Sequence, residues 1–277
     1  MLPDRRLTDD ERNTFERDGA LPLPGLLDAA EVATLRAAAD RLDAAYRAEP
    51  GVTPHHLLNL HDLIGRDPAF LELIDQPVAL AKAWSVLGWN LQLFHTQLVV
   101  TPPAPAGAHG GAYAWHRDNN RMNRELGVDD QPRVSAKVAY FLTDLPQEGM
   151  GNFCVVPGSH RQPRSTLPDP DEVPPGGIEV TAAAGDGLLF DRRLWHAAST
   201  NVSDQTRVVL FYGYAHRWVR PKSAMAPDEL LPLTDDPIRR QLLGACSSAN
   251  GYYDPQDDDV PLRAWIRSRH GDDAVDP

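Results

Sequence analysis

The feature that most restricts the fold of this chain is a series of short β-type segments between residues 91 and 214. Eight runs rich in β-branched and aromatic residues are separated by turn-forming residues, and no helical pattern alternates with them. Strands in this arrangement pack against one another as a sandwich or a closed barrel. The predicted strands cover residues 91–100, 112–118, 133–142, 152–156, 178–181, 187–190, 196–198 and 208–214.

Helical patterns flank this β-rich region on both sides. Thr8 and Glu11 have the spacing of a capping box, which predicts a first helix that ends near Gly19. Asp28 predicts the start of a second helix, in which apolar residues recur at helical spacing. Between these two helices, residues 20–24 are expected to form a short extended link. The 58–88 region is predicted to be further helix, and short helices are predicted around 227–231, 236–244 and 260–269.

These patterns predict a mainly β fold with flanking N-terminal and C-terminal helices, formed by residues 1–277 as a single domain. At 277 residues the chain is long enough to bury a sizeable core. We expect residues 1–90 to form a helical support, residues 91–214 to form the β core, and residues 215–277 to form a tail of short helices.

Composition argues against several classes of function. A formal net charge of −12 disfavours a nucleic-acid-binding protein, which needs a basic face. No apolar run approaches the roughly 18 residues of a membrane span, and the first residues lack the apolar core of a secretory signal. Two cysteines, Cys154 and Cys246, give no disulfide framework, so we expect a cytoplasmic location. The sequence predicts no particular oligomeric state.

One polar motif lies within the β-rich region: His116 and Asp118 are separated by a single residue, and His196 follows about eighty residues downstream. Side chains alternate along an extended segment, so His116 and Asp118 are expected to project from one face. Two imidazoles and one carboxylate on one side of an ion form the facial triad of non-heme Fe(II) oxygenases, which leaves the other positions open. Alone, the pair is a weak signal, and polar strand residues are the alternative interpretation.

Several motifs then follow one another in a definite order along the chain. They are His116-Arg117-Asp118, Val156-Pro157-Gly158-Ser159-His160, Gly185-Asp186, Leu194-Trp195-His196 and Arg207. In this order they resemble the phytanoyl-CoA dioxygenase family of Fe(II)/2-oxoglutarate oxygenases, and the resemblance covers nearly the whole chain. It implies a double-stranded β-helix, or jelly roll. It also implies a dioxygenase that uses Fe(II), 2-oxoglutarate and O2, hydroxylates an unactivated C–H bond of a small molecule, and releases succinate and CO2.

The resemblance also assigns roles to individual residues. His116, Asp118 and His196 are the expected metal ligands and form the catalytic centre. Arg207, eleven residues after His196, is expected to bind the distal carboxylate of 2-oxoglutarate, because a planar guanidinium matches both carboxylate oxygens. The alternative for Arg207, a surface salt bridge, is disfavoured because the rest of its strand face is apolar.

Lys137 lies in an otherwise apolar segment that is expected to be a central strand. A lysine buried there needs a partner. The equivalent strand of the family lines the co-substrate pocket, so we expect Lys137 to contact 2-oxoglutarate or an acidic group of the substrate. A lysine that reaches solvent at the rim of the sheet is the alternative. Gln97 and Thr143 are further candidates for contact with the co-substrate.

Three residues are candidates for contact with the substrate. Asn119 and Arg121 follow the His-x-Asp motif in a segment that is expected to cover the mouth of the barrel. Asn152 follows a glycine turn and enters the next strand, so it is a candidate to point inward. The family covers many small-molecule substrates, and the sequence does not select one of them.

Other reactions and other classes of protein are alternatives to a hydroxylase. Desaturation, epoxidation and cyclisation use the same oxidant and the same ligands. Halogenases of this scaffold replace the metal carboxylate by a small residue, so Asp118 disfavours halogenation. A cupin-like metalloenzyme without 2-oxoglutarate is disfavoured by Arg207, and a non-catalytic binding protein is disfavoured by the intact triad.

Overall fold

Two antiparallel β-sheets form the centre of the protein. The computed structural model describes residues 5–108, 114–118, 120–127, 131–163, 173–222 and 227–275. Within these residues the strands are β1 (Ala20–Leu23), β2 (Leu58–His61), β3 (Leu91–Thr101), β4 (Ser135–Phe141), β5 (Phe153–Val155), β6 (Ile178–Glu179), β7 (Gly187–Asp191), β8 (His196–Ala198) and β9 (Arg207–His216). The larger sheet has the strand order β1-β7-β4-β9-β3-β2, and the smaller sheet has the order β6-β5-β8. The predicted packing of strands as a sandwich is confirmed.

Helices flank the two sheets. They are α1 (Asp9–Asp18), α2 (Ala29–Arg47), α3 (Pro68–Leu71), α4 (Pro77–Leu87), α5 (Asn120–Leu126), α6 (Pro227–Leu230), α7 (Pro237–Leu242) and α8 (Pro261–His270). The predicted capping box at Thr8 is present, and Asp28 caps the second helix as predicted, in a capping box with Glu31. The three predicted C-terminal helices form within a few residues of their expected bounds. In the part of the chain that the structure describes, no helix is both long enough and apolar enough to span a bilayer.

Strand alternation assigns each face of the larger sheet a different neighbour. On β4, Val138 and Tyr140 belong to the large apolar cluster that also contains residues of α1, α2, α3 and α4. Ala139 and Phe141 belong instead to the cluster that includes residues of the smaller sheet. Because side chains alternate along a strand, Lys137 lies on the same face as Ala139, towards the space between the sheets.

Two predictions before residue 90 are corrected by the structure. Residues 20–24 are extended as expected, but they are more than a link, since residues 20–23 form strand β1, which pairs with β7 at the edge of the larger sheet. An edge strand tolerates Pro22, because the missing N–H is not needed for pairing on the open side. The segment 58–88 is not helical throughout, since it begins with β2, which pairs with β3. The first 90 residues therefore add two strands to the sheet as well as helices.

The predicted strand at 112–118 is also wrong. His116 forms only an isolated β-bridge with His196, and residues 112 and 113 lie outside the described residues. Ala114 has a φ of 48°, in the left-handed region that a continuous strand does not contain. The His-x-Asp motif therefore lies on an irregular segment that touches a strand at one point.

Candidate metal centre

His116, Asp118 and His196 lie together, although they do not share a strand. One potential ligand atom from each side chain lies within 4.8 Å of the others. Within the described part of the chain, these three side chains form a group that could hold a metal ion. The centroids of the two imidazole rings are 4.3 Å apart, and His196 Nε2 lies 3.8 Å from Asp118 Oδ2. Two nitrogens and one anionic oxygen make up the donor set of a facial triad, which suits Fe(II).

Backbone hydrogen bonds hold these three residues in place. The amides and carbonyls of His116 and His196 form two reciprocal bonds of 3.0 Å. The amide of Asp118 donates to the carbonyl of Arg192 at 3.0 Å. Trp115 is buried in a small apolar cluster with residues around β5 and β8. The irregular segment is thus fastened to the smaller sheet at Trp115 and His116, and at Asp118 to Arg192, which directly follows β7 of the larger sheet.

Hydrogen bonds within the chain also select the imidazole nitrogen that can face a metal. His116 Nδ1 lies 3.0 Å from the carbonyl oxygen of Ala114, and His196 Nδ1 lies 2.9 Å from that of Leu194. A carbonyl oxygen only accepts, so each Nδ1 carries the proton and each Nε2 presents its lone pair. Histidine ligands of metals are usually oriented by such a second hydrogen bond.

Lys137 forms a buried ion pair with Asp118, with 2.8 Å between Nζ and Oδ2. Although burial acts to raise it, the pKa of Asp118 lies well below its ordinary value because of the charge of Lys137. Burial lowers the pKa of His196 to about 3, and His116 and Lys137 act in the same direction. Asp118 is therefore ionised and His196 is neutral, which are the forms that bind metals.

Arg207 is 1% exposed and lies at the start of β9, on the face that Val209 and Phe211 direct towards the smaller sheet. Its Nε has no hydrogen-bond partner among the described residues. Burial lowers the pKa of Arg207 to about 10. No carboxylate among the described residues raises this pKa again. An unpaired buried charge is costly, so this position indicates a place for an anionic ligand.

Aromatic rings connect the strand of Arg207 with the triad. The ring of Phe211 lies 5.6 Å from that of Phe153, which lies 5.5 Å from the ring of His196. Phe190 lies 5.3 Å from the same imidazole. The inner face of the sheets beside His196 is therefore lined with aromatic carbon, which keeps water away from that side of the centre.

Thr143 and Gln97 both make hydrogen bonds within the protein. Thr143 Oγ1 accepts from the amide of Val208 at 3.0 Å, so it holds β9 immediately next to Arg207. Gln97 Nε2 donates to Asn59 Oδ1 on β2 at 2.7 Å. Contact of Thr143 or Gln97 with 2-oxoglutarate stays a prediction.

The three candidates for substrate contact have different outcomes. Asn152 is fully buried and its amide group is satisfied by the backbone: Oδ1 accepts from Met150, and Nδ2 donates to two carbonyls. Asn152 thus fastens the glycine turn, and its contact with a substrate stays a prediction. Arg121 is largely exposed and pairs with Glu125 on its own helix. Asn119 lies outside the described residues.

Sequence reasoning missed His95, which is fully buried on β3. Leu91 and Leu93 on the same strand pack towards the helices, and simple alternation would place His95 with them. A register shift between Leu93 and His95 reverses the alternation, so that Thr96 and Leu98 face the helices instead. His95 is thereby directed towards the space that Lys137 occupies, and the sequence gives no signal for such a bulge.

Two cavities lie away from this centre. They measure about 420 and 490 Å³ and lie against the C-terminal helices, and neither is lined by a member of the triad. The candidate centre is therefore identified by its donor set and by the buried charges around it.

Comparisons with known proteins agree with this geometry. The family model described as phytanoyl-CoA dioxygenase (PhyH) matches residues 15–209, more than two thirds of the chain. An ectoine dioxygenase of Nocardia farcinica is 26% identical over 79% of this chain and 82% of that protein. An L-proline trans-4-hydroxylase of Streptomyces griseoviridis is 25% identical over 83% of this chain and 94% of that protein.

A solved structure has a similar fold. EctD from S. alaskensis, crystallised with 2-oxoglutarate and 5-hydroxyectoine, superposes with a TM-score of 0.63 at 23% identity, over 80% of each chain. The predicted jelly-roll fold is confirmed, with two antiparallel sheets and flanking helices. From the extent of the family match, this chain belongs to the phytanoyl-CoA dioxygenase family.

Proposed function

We propose that this chain is an Fe(II)- and 2-oxoglutarate-dependent dioxygenase that hydroxylates an unactivated C–H bond of a small molecule. The observation that carries the proposal is the buried, unpaired Nε of Arg207 on the inner face of β9. In a metal-binding barrel without an acidic co-substrate, a buried guanidinium on the inner face of β9 would have no anion to bind. Family membership and the relatives named as dioxygenase and hydroxylase support the same conclusion.

The residues present fit both iron and 2-oxoglutarate. His116 and His196 would supply neutral Nε2 atoms to Fe(II), and Asp118 would supply an ionised oxygen. Arg207 would bind the distal carboxylate of 2-oxoglutarate through its planar guanidinium. When bound, iron together with 2-oxoglutarate and O2 supplies the oxidant that removes hydrogen from a C–H bond, with release of succinate and CO2.

The chain itself contributes orientation and exclusion of water. Ala114 and Leu194 hold the two imidazoles by their carbonyl groups, so the metal-binding nitrogens need no reorganisation. Before a metal binds, Lys137 keeps Asp118 ionised through their ion pair of 2.8 Å. The phenylalanines beside His196 form a dry wall that prevents side reactions with water.

We infer that the substrate is a small molecule, since a formal net charge of −12 disfavours binding of nucleic acid. Ectoine and L-proline, after which the relatives are named, are the first compounds to test. The cytoplasmic location predicted from cysteine usage stays a prediction.

The experiment is to incubate the iron-loaded protein with 2-oxoglutarate and O2 across a panel of small molecules that includes ectoine and L-proline. We expect succinate formation to rise with the true substrate and the product to gain one oxygen atom, as measured by mass spectrometry. His116→Ala is expected to abolish both signals in a folded protein. Full activity of that variant with iron present would refute the triad.

A further inference from the structure

Four side chains form a group that extends from the candidate metal centre towards solvent. We call Lys137, His95, His61 and Lys222 the lysine–histidine cluster. The chain contains only three lysines among its 27 lysines and arginines, and two of the three belong to this cluster. Ammonium groups are therefore concentrated here, whereas arginine is the usual cation elsewhere in the chain.

Gly213 on β9 lies between the two buried members of the cluster. It pairs with Lys137 on β4 and with His95 on β3, so all three residues occupy one row across the sheet. A Cβ at Gly213 would lie 3.3 Å from Lys137 Cγ and 3.4 Å from His95 Cβ. Lys137 and His95 thus pack closely on either side of Gly213, and Lys137 reaches its partner Asp118 from this face of the sheet.

His95 offers a buried polar atom that the protein does not use. Its side chain is fully buried, and Nε2 lies 3.0 Å from His61 Nδ1. Nδ1 has no hydrogen-bond partner among the described residues. Burial, together with the charges of Lys137 and Lys222, lowers the pKa of His95 to about 2, so the ring is neutral and carries one proton. When His61 donates to Nε2, that proton is on Nδ1, which then needs an acceptor.

The other two members of the cluster lie at the surface. The amide of Lys222 donates to the carbonyl of Phe94 at 2.9 Å, so Lys222 is held next to His95. Both Lys222 and His61 are exposed at the surface. Partial burial lowers the pKa of His61, and the charge of Lys222 acts in the same direction on His61 and on His95. Asp62, next to His61, acts in the opposite direction on that imidazole. The cluster therefore leads from exposed groups to the buried Lys137.

With Fe(II) and 2-oxoglutarate bound, the positive charges of Lys137 and Lys222 would have no matching negative charges at the centre. A divalent metal and Arg207 carry three positive charges, and Asp118 and the 2-oxoglutarate dianion carry three negative charges. Lys137 loses its counter-charge once Asp118 binds the metal, and Lys222 has no ion pair among the described residues. A second anion is thus needed beside the metal, in a protein whose overall charge of −12 otherwise repels anions.

We propose that the substrate is a small carboxylic acid whose carboxylate is bound by Lys137 and His95, after Lys222 and His61 attract it at the entrance. The proposal rests on the proposed function and specifies the substrate class of that same site. It assigns Lys137 to the substrate, whereas Arg207 serves the co-substrate.

The test compares acids with matched neutral amides on the protein loaded with Fe(II) and 2-oxoglutarate in the absence of O2. Acetate, benzoate and phenylacetate are paired with acetamide, benzamide and phenylacetamide, and binding is measured by thermal unfolding. We expect each acid to bind the parent about tenfold or more tightly than its amide, since a charge-assisted hydrogen bond is lost with the amide. Lys222→Gln and His95→Gln should each remove most of this preference without changing the affinity for 2-oxoglutarate.

Arg220→Gln is the matched control, because Arg220 is also exposed and lies two residues before Lys222. The control should keep the preference for acids. Equal binding of acids and amides by the parent would overturn the proposal, and so would loss of the preference in Arg220→Gln. Weaker binding of 2-oxoglutarate by Lys222→Gln or His95→Gln would assign the cluster to the co-substrate instead. Should His95→Gln not fold, the exposed Lys222→Gln still decides. Failure of the parent to bind 2-oxoglutarate, read before any acid is added, would refute the proposed function instead.

Discussion

Replacing Arg207 by methionine is expected to stabilise the ligand-free protein and to remove its response to 2-oxoglutarate. Burial lowers the pKa of Arg207 from 12.5 to about 10. For a base, a lowered pKa means that the folded state disfavours the charged form. At neutral pH arginine is charged in both states, so this cost is fully present. At about 1.4 kcal/mol per pKa unit, it is on the order of 3 kcal/mol. Even replacing a complete buried ion pair by apolar residues of similar size is often neutral or stabilising by about 1–4 kcal/mol, and Arg207 has no carboxylate partner among the described residues.

The ligand is expected to reverse the order of stability. A ligand at a concentration of about 100 Kd stabilises the folded state by about 2.7 kcal/mol. In a chain of this size, each kcal/mol shifts the melting temperature by roughly 2–4 °C. We therefore expect 2-oxoglutarate to raise the melting temperature of the iron-loaded parent by about 5–10 °C. Arg207→Met should melt several degrees above the ligand-free parent and should not respond to 2-oxoglutarate. Differential scanning calorimetry without O2 measures both quantities.

Arg217→Met is the matched control for a buried arginine. Arg217 is 2% exposed, but its guanidinium donates to the carbonyls of Gly251 and Ala245. Its loss should lower the melting temperature and leave the response to 2-oxoglutarate intact. The reasoning fails if Arg207→Met is less stable than the ligand-free parent and is still stabilised by 2-oxoglutarate.

Three further outcomes follow from the centre and its support. His196→Ala should keep the circular dichroism of the parent but lose bound iron, as measured by metal analysis; retention of stoichiometric iron would contradict its role. Asp118→Ala should reduce hydroxylation by orders of magnitude in a product assay, because the anionic ligand is lost, and near-normal turnover would exclude it as a ligand. Burial acts to raise the pKa of Asp191, but ion pairs with Arg193 and Arg133 lower this pKa to about 2. The contribution of Asp191 to stability is therefore present above about pH 4 and is lost as the pH falls towards 2. Asp191→Asn should therefore lower the free energy of unfolding at pH 7 by about 2 kcal/mol or more and should flatten its decline below pH 4, as measured by urea denaturation; an unchanged decline would contradict the assignment.

The sequence predicted correctly those helices and strands whose signals lie within a few neighbouring residues. The caps at Thr8 and Asp28 depend on residues three positions apart, and both formed as expected. The strands of the core were found because their alternation is internal to each segment. Strand β1 was missed because it pairs with β7, which is far away in the chain. In addition, Pro22 is a residue that usually interrupts a strand. Strand β2 was missed because four residues carry little periodicity against a longer helical pattern.

The same holds for the candidate centre: residues in local motifs were predicted, and residues placed by tertiary packing were not. His116, Asp118 and His196 were recognisable from spacing and motif order, although the strand expected to carry the first two is absent. The ion pair of Lys137 with Asp118 could not be read from the sequence, because it depends on the packing of an irregular segment over β4. His95 could not be placed at all, since the register shift that directs it inward has no local signature.

The central claim is that His116, Asp118 and His196 hold an iron ion beside which Arg207 binds 2-oxoglutarate. The most direct measurement is the visible absorption of the Fe(II)-loaded protein as 2-oxoglutarate is added without O2, because a 2-oxoglutarate–Fe(II) complex gives a weak charge-transfer band. We expect the band to saturate in the parent, to be absent in His196→Ala, and to require far more 2-oxoglutarate in Arg207→Met. A parent protein that binds one equivalent of iron but gives no band at any concentration of 2-oxoglutarate would contradict the claim.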